Sequence, residues 1–251
     1  KGPVSDSRHG VGEFWCSKIS REGRLEWQYY FGGSNNDRAH AVVPSPDGGF
    51  VLAGFTESAD FDISASRGSY DFWVIKVDSE GALVWERTFG GSGIETASDI
   101  ARSPEGGYLV TGHSFSRDGD RGSALGEADI WLLRLSENGE LLWERSYGGP
   151  AFDAAERITP LSDGGYLLTG NSRSRMAALP NAGENDLLAL KIDAHGNLLW
   201  QTTFGGSGID LGFDAAEGPE GAVYVVGELA AAGAASLPSL GGSDLIVLKI
   251  R

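Results

Sequence analysis

The chain has 251 residues, 38 of them Gly, a single Cys and a formal net charge of −15. Glycine stands at roughly twice its usual ~7% without a Gly-X-Y period, which excludes collagen, and 41% hydrophobic residues exclude wholesale disorder. Cys16 alone excludes an internal disulfide framework and a Cys-rich zinc site. The negative charge argues against nucleic acid and anionic membrane, which bind basic faces, and apolar runs such as 187–190 are strand-sized, so no membrane insertion is expected. The chain opens at Lys1 without a Met or a signal-like stretch, which reads as a processed or excised start.

Taken in chain order, the first strand-like run is 13–18, and its pattern returns. Asp71-Phe72-Trp73-Val74-Ile75-Lys76 is repeated as Asp129-Ile130-Trp131-Leu132-Leu133-Arg134, and again at 186–191 and 244–249. The basic residues Lys18, Lys76, Arg134, Lys191 and Lys249 step by 58, 58, 57 and 58. Trp27, Trp85, Trp143 and Trp200 keep the same step, as do the Phe/Tyr-Gly-Gly turns at 31, 89, 147 and 204 and the acidic-Gly turns at 47, 105, 163 and 220. A period held in several separate columns marks a repeat protein.

Each period holds four strand-like runs, exemplified by A at 98–103, B at 108–112, C at 129–135 and D at 140–147. Short acidic-Gly turns join A to B and C to D, the chemistry of tight hairpins. Only the B-to-C link is long, and it differs in every unit. Four antiparallel strands per repeat predict an all-β fold, a β-propeller of about four blade equivalents in one domain over 1–251. The units run 34–91, 92–149, 150–206 and 207–251 plus 13–33. A, B and D occur four times and C five times, so one C run, 13–19 or 244–250, is surplus after 25–31 supplies the D strand that closes the ring. An unpaired edge of that kind is a template for self-association. The tryptophans in register are expected to pack between neighbouring sheets. The small residues Ala39, Ala97, Ala155 and Gly212 suit a crowded innermost strand, and Gly54, Gly112, Gly170 and Gly227 indicate close backbone approach.

The run Gly90-Gly91-Ser92-Gly93-Ile94-Glu95, then Glu105-Gly106-Gly107-Tyr108 with Gly112, and the Asp-x-Trp-x-x-Lys and Leu-x-Trp-Glu-x-Thr-Phe-Gly-Gly strings resemble the bacterial β-propeller repeat family called SBBP. The resemblance covers about 13–249 and implies the propeller fold and a secreted or cell-surface, extracytoplasmic location; it implies no particular activity. A more distant similarity is to quinoprotein propellers. Their Ala-x-Asp-x-x-Thr-Gly-x-x-x-Trp turn is here the shorter Asp78-Ser79-Glu80-Gly81-Ala82-Leu83-Val84-Trp85, which lacks Thr, so no quinone cofactor is carried over.

Two sets of acids are candidate sites. Asp37, Glu95, Asp153 and Asp210 step by 58, 58 and 57 at the start of the innermost strand, and ring closure would gather them at one mouth of the channel, where they could hold a hard cation. The competing reading is that each accepts backbone N–H groups of its own Gly-Gly turn. Asp60, Asp62, Asp118 and Asp120 place alternate carboxylates in the first two B-to-C loops as calcium loops do, although a closing bidentate Glu is missing. Solvated loop is the competing reading there, and Ca²⁺ is the one cofactor considered.

No nucleophile elbow or His-Glu-x-x-His appears, and His9, His40, His113 and His195 fall in unrelated columns, so no catalytic residue is assigned. The expected function is a non-enzymatic extracellular or cell-surface binding module whose varied B-to-C loops meet a protein or glycan partner. Its rivals are a glycan- or polymer-acting hydrolase with carboxylates at the channel mouth, and a structural unit that assembles through its surplus strand.

Overall fold

The computed structural model, which describes residues 10, 12–177, 179–230 and 242–250, is built of strands and turns, with one 3-10 turn at Pro219–Gly221 and no α-helix among the described residues. Strands β1 (Phe14–Ile19) and β2 (Leu25–Phe31) pair as a two-stranded sheet. Three four-stranded antiparallel sheets follow. The first is β3 (Asp37–Pro44), β4 (Phe50–Thr56), β5 (Asp71–Val77) and β6 (Leu83–Phe89). The second is β7 (Glu95–Arg102), β8 (Tyr108–Ser114), β9 (Asp129–Leu135) and β10 (Leu141–Tyr147). The third is β11 (Asp153–Pro160), β12 (Tyr166–Ser172), β15 (Asp186–Ile192) and β16 (Leu198–Phe204), with the small hairpin β13 (Arg175–Met176) and β14 (Leu179–Pro180) in the link between β12 and β15. A three-stranded sheet, β17 (Leu211–Glu217), β18 (Val223–Ala230) and β19 (Ser243–Ile250), ends the series.

The repeat of roughly 58 residues is therefore a repeat of sheets. Run A starts earlier than its apolar pattern indicates, at Glu95 rather than 98, and run B continues to Ser114. Polar residues occupy these ends, so the hydrophobic alternation understates them. The A-to-B turns need a residue at positive φ, supplied by Gly48, Gly106 and Gly164 at 86°, 87° and 85°. The sheet expected to join the chain ends differs: β2 pairs with β1, and β19 pairs with β18 and not with β2. The preference of β2 for β1 has a local cause, a hairpin of six paired positions that closes through the Ser20–Arg24 turn. Both terminal sheets thus stay short of four strands.

Successive sheets pack face to face and share their cores. Phe72, Val74 and Phe89 of the first sheet meet Ala97, Tyr108, Val110 and Trp131 of the second. Ile130, Leu132 and Tyr147 of the second meet Ile158, Tyr166, Leu168 and Leu188 of the third. Every residue of β5 and β9 is buried, because alternate side chains enter the cores on the two sides of their sheet. Trp85 and Trp143 on the outer strands cover the turn glycines Gly139 and Gly196 of the following sheets, so the repeated tryptophans pack between sheets. Isolated parallel bridges, Tyr70 to Ile94, Ala128 to Phe152 and Asn185 to Ile209, tie the start of each C strand to the start of the next A strand.

Candidate functional site

In each A strand one residue breaks register against its neighbour: His40 between Ala39 and Ala41, Ser98 between Ala97 and Asp99, Glu156 between Ala155 and Arg157, and Phe213 between Gly212 and Asp214. A bulge bends its strand and re-aims the extra side chain. All four extra residues line one cavity of about 600 Å³ between the A strands of four successive sheets. The residue opposite the bulge is the strand-B glycine, and a Cβ on Gly112 or Gly170 would overlap the carbonyl oxygen of Thr96 or Ala154. Bulge and glycine are one device.

The cavity mixes polar and aromatic groups. Thr96, Ser98, His113 and Arg157 line it together with Phe152 and Phe213. His40 lies with Nδ1 2.7 Å from the carbonyl oxygen of Ala97. The His113 ring packs against Phe115 and Phe152, at 5.8 and 5.5 Å, and the two phenyl rings also meet each other at 5.9 Å. Burial first, and then the neighbouring His40, pull the His113 imidazole down to about 4, so it is neutral at pH 7. Burial raises the Glu156 carboxyl, against smaller opposing effects of Arg157 and His40. Burial likewise raises Asp99, which receives the backbone N–H of Ile158 and faces Arg157 at 3.8 Å. A neutral imidazole, hydroxyls, a carboxyl and a guanidinium beside phenyl faces can hydrogen-bond a polar ligand and stack on its apolar face.

Asp37, Glu95, Asp153 and Asp210 are fully buried, and none is among the residues lining the cavity. Each accepts the N–H of the second glycine of its own turn, from Gly33, Gly91, Gly149 and Gly206 at 2.7, 2.8, 2.7 and 2.6 Å. Hydroxyls complete three of these shells: Thr56 and Ser58 on Asp37, Ser114 on Glu95, and Ser172 and Ser174 on Asp153. What each acid does meet is the acid that opens a C strand, discussed below.

The loop acids also hold turns. Asp60 and Asp118 accept the N–H of Ser34 and Ser92 at 2.9 and 2.7 Å, and Asp62 and Asp120 accept that of Gly32 and Gly90 at 3.1 Å each. The Ser92 N–H lowers the Asp118 carboxyl. Among the described residues no three His, Cys, Asp or Glu side chains converge as a metal cage. In the fourth B-to-C loop, residues 231–241 lie outside the described ones. Two of the repeated cations neutralise turn acids, Lys76 meeting Asp47 at 2.6 Å and Lys191 meeting Asp163 at 2.5 Å, whereas Arg134 donates to the carbonyl oxygens of Leu135 and Gly106.

Sequence reasoning therefore missed His40, His113, Glu156 and Phe213 as one site. A weak signal was present: the residue after the repeated small residue of strand A reads His, Ser, Glu, Phe, although the column after it, Ala41, Asp99, Arg157 and Asp214, varies as much. No protein-family model matches the chain, and no curated protein matches it.

Proposed function

We propose that the repeated sheets are blades of a β-propeller of the bacterial SBBP type, and that the protein is a non-enzymatic binding module of the cell surface or extracellular space. The ligand seat is the cavity between the A strands, extended by the B-to-C loops. One observation carries this reading. A single repeat column supplies four different chemistries, His40, Ser98, Glu156 and Phe213, to one cavity, while the frame behind it is repeated. Varied side chains on a rigid scaffold are where recognition resides. Hydroxyls, a neutral imidazole and phenyl faces suit a saccharide, which offers hydroxyl groups around an apolar ring face. The resemblance supports the extracytoplasmic placement.

The test is a screen of the full chain against neutral and acidic oligosaccharides, followed by calorimetric titration of the best hit. Phe152→Ala and His113→Ala are expected to weaken binding at least about tenfold, the loss of ~1.4 kcal/mol, without loss of folding. Unchanged affinity in both variants overturns the cavity as the seat. Steady turnover of the oligosaccharide, abolished by Glu156→Gln, replaces binding by hydrolysis; the raised Glu156 carboxyl is the observation that favours that second reading.

A further inference from the structure

Four junctions between successive sheets bring together two acids, one opening a C strand and one opening the next A strand: Glu13 with Asp37, Asp71 with Glu95, Asp129 with Asp153, and Asp186 with Asp210. Asp71 Oδ1 and Glu95 Oε2 both lie within 2.5 Å of the point that a Cβ on Gly90 would occupy. Asp186 Oδ1 and Asp210 Oδ2 lie within 2.6 Å of the corresponding point at Gly205. Asp71, Asp129 and Asp186 are almost wholly buried, and Oδ1 of each has no hydrogen-bond partner, so these three junctions differ in the charge beside them and not in that oxygen; Glu13, less buried, leaves both of its carboxyl oxygens unpaired. Two facing carboxylates with an unpaired buried oxygen are costly unless something positive lies between or beside them.

At Asp129–Asp153 the chain supplies that positive group. Arg121, itself buried, bonds Asp129 Oδ2 through its guanidinium and the carbonyl oxygens of Ser114 and Ser116 at 2.8 and 2.7 Å. Eight residues before Asp71, where Arg121 precedes Asp129, stands the buried apolar Ile63. In the third sheet the Ser172 carbonyl, counterpart of that of Ser114, receives the neutral Asn181 side chain at 2.7 Å. The cations around the other two junctions bond elsewhere: Arg67, half-exposed, reaches Asp120 at 2.8 Å, and Arg175 bonds the carbonyl oxygen of Asn181, its charge lowering the Asp186 carboxyl less than burial raises it.

We propose that a calcium ion binds between Asp71 Oδ1 and Glu95 Oε2, and another between Asp186 Oδ1 and Asp210 Oδ2, compensating there the charge that Arg121 compensates at Asp129–Asp153. Calcium takes six to eight oxygens in flexible geometry, so two carboxylates suffice as anchors while carbonyl oxygens and water complete the shell. So few charged ligands place the affinity with weak extracellular modules, at a Kd on the order of 10⁻⁴–10⁻³ M. Magnesium, which demands tighter octahedral geometry, binds less well.

Calorimetric titration of the full chain with CaCl₂, and separately with MgCl₂, tests this. Saturable calcium binding is expected, with the stoichiometry lowered by one equivalent in Asp71→Asn and, independently, in Glu95→Gln. Arg121→Ala, folded in the presence of calcium, is expected to gain one equivalent. No saturable calcium binding by the wild type, an unchanged stoichiometry in the two carboxyl variants, or equal binding of magnesium overturns the proposal. Circular dichroism confirms that each variant is folded; should Asp71→Asn fail to fold, Glu95→Gln and Arg121→Ala still decide.

Discussion

The inner and terminal C strands carry one sequence pattern and meet different fates. Trp73 in β5 and Trp131 in β9 are 0% exposed, whereas Trp15 at the same position of β1 is 63% exposed. In β19, Leu245 is 81% exposed although Ile130, its counterpart in β9, is buried. The apolar run is nearly the same in all of them, with Ser17 of β1 standing where β5 has Ile75 and β9 has Leu133, so it specifies a strand with two largely apolar faces and little more. Burial comes from a sheet on either side, and the terminal sheets have one on a single side. Trp131 meets Phe72 of the preceding sheet at 4.9 Å, while among the described residues the aromatic ring beside Trp15 is Tyr30 of its own hairpin, at 6.5 Å.

The sharpest way to break this comparison is to truncate both tryptophans. Trp131→Ala opens a cavity in the core shared by the first and second sheets and is expected to cost ~3–5 kcal/mol. Trp15→Ala removes a side chain already in water, and its effect stays within about 0.5 kcal/mol. Urea unfolding of the two variants measures the difference. Equal losses would mean that the exposed face of β1 is covered in solution, the situation that self-association through the terminal sheet would produce; sedimentation velocity over a range of concentrations then checks for it.

Charge pairs offer a second contrast, between an ion pair inside the repeat and one at its surface. Arg121 and Asp129 are buried together, and Arg121→Ala leaves an uncompensated carboxylate, an expected loss of ~3–5 kcal/mol without calcium. The Asp47 side of the Lys76 pair is open to water, and Asp47→Ala is expected to shift stability far less than Arg121→Ala does. Thermal unfolding at matched ionic strength compares them; Arg121→Met, which restores volume without charge, separates lost packing from lost charge.

Most of the repeat was legible because local chemistry writes it. The acidic-Gly turns, the Trp columns and the Gly-Gly turns name the A-to-B and C-to-D hairpins but not the small β13–β14 hairpin inside a B-to-C link, and the competing reading of Asp37, Glu95, Asp153 and Asp210, acids bonded to their own turns, describes the bonds that form. The bulges were not legible as bulges. Register against a neighbouring strand is a property of two strands, and nothing in the string around Glu156 announces that Ala155 and Arg157 face consecutive residues of β12. His40 and His113 looked unrelated for the same reason: they sit at different repeat positions, on β3 and β8, and meet only across two sheets. The partner of each terminal strand was illegible too, since β2 carries the D pattern that would suit either β1 or β19.

The smallest effect expected here distinguishes the inner cavity from the terminal sheet by pH. His113 titrates at about 4 when folded against 6.5 as a free imidazole, so the unfolded chain binds more protons between those values. Its contribution to stability is therefore complete above pH 6.5 and is lost as pH falls toward 4, by about 1–3 kcal/mol. Glu13, at the terminal sheet, goes the other way. Burial, then the charge of Asp37, raise it from 4.5 to about 7, so the folded chain binds more protons in that window and acidification from pH 7 to 4.5 favours folding. Glu13 is only part-buried as a residue, but both of its carboxyl oxygens are shielded from water, and its effect is expected to be on the order of 1 kcal/mol. Other carboxyls titrate in the same range, so the informative quantity is the difference between each variant and wild type. Urea midpoints between pH 4 and 7.5 are expected to show His113→Gln gaining on wild type as pH falls below 6.5, and Glu13→Gln losing ground from pH 7 to 4.5. A flat difference for His113→Gln would mean that the imidazole is solvated through the cavity, and that the hydrogen-bonding partner the cavity offers at neutral pH is open to water rather than shielded by its burial against Phe152.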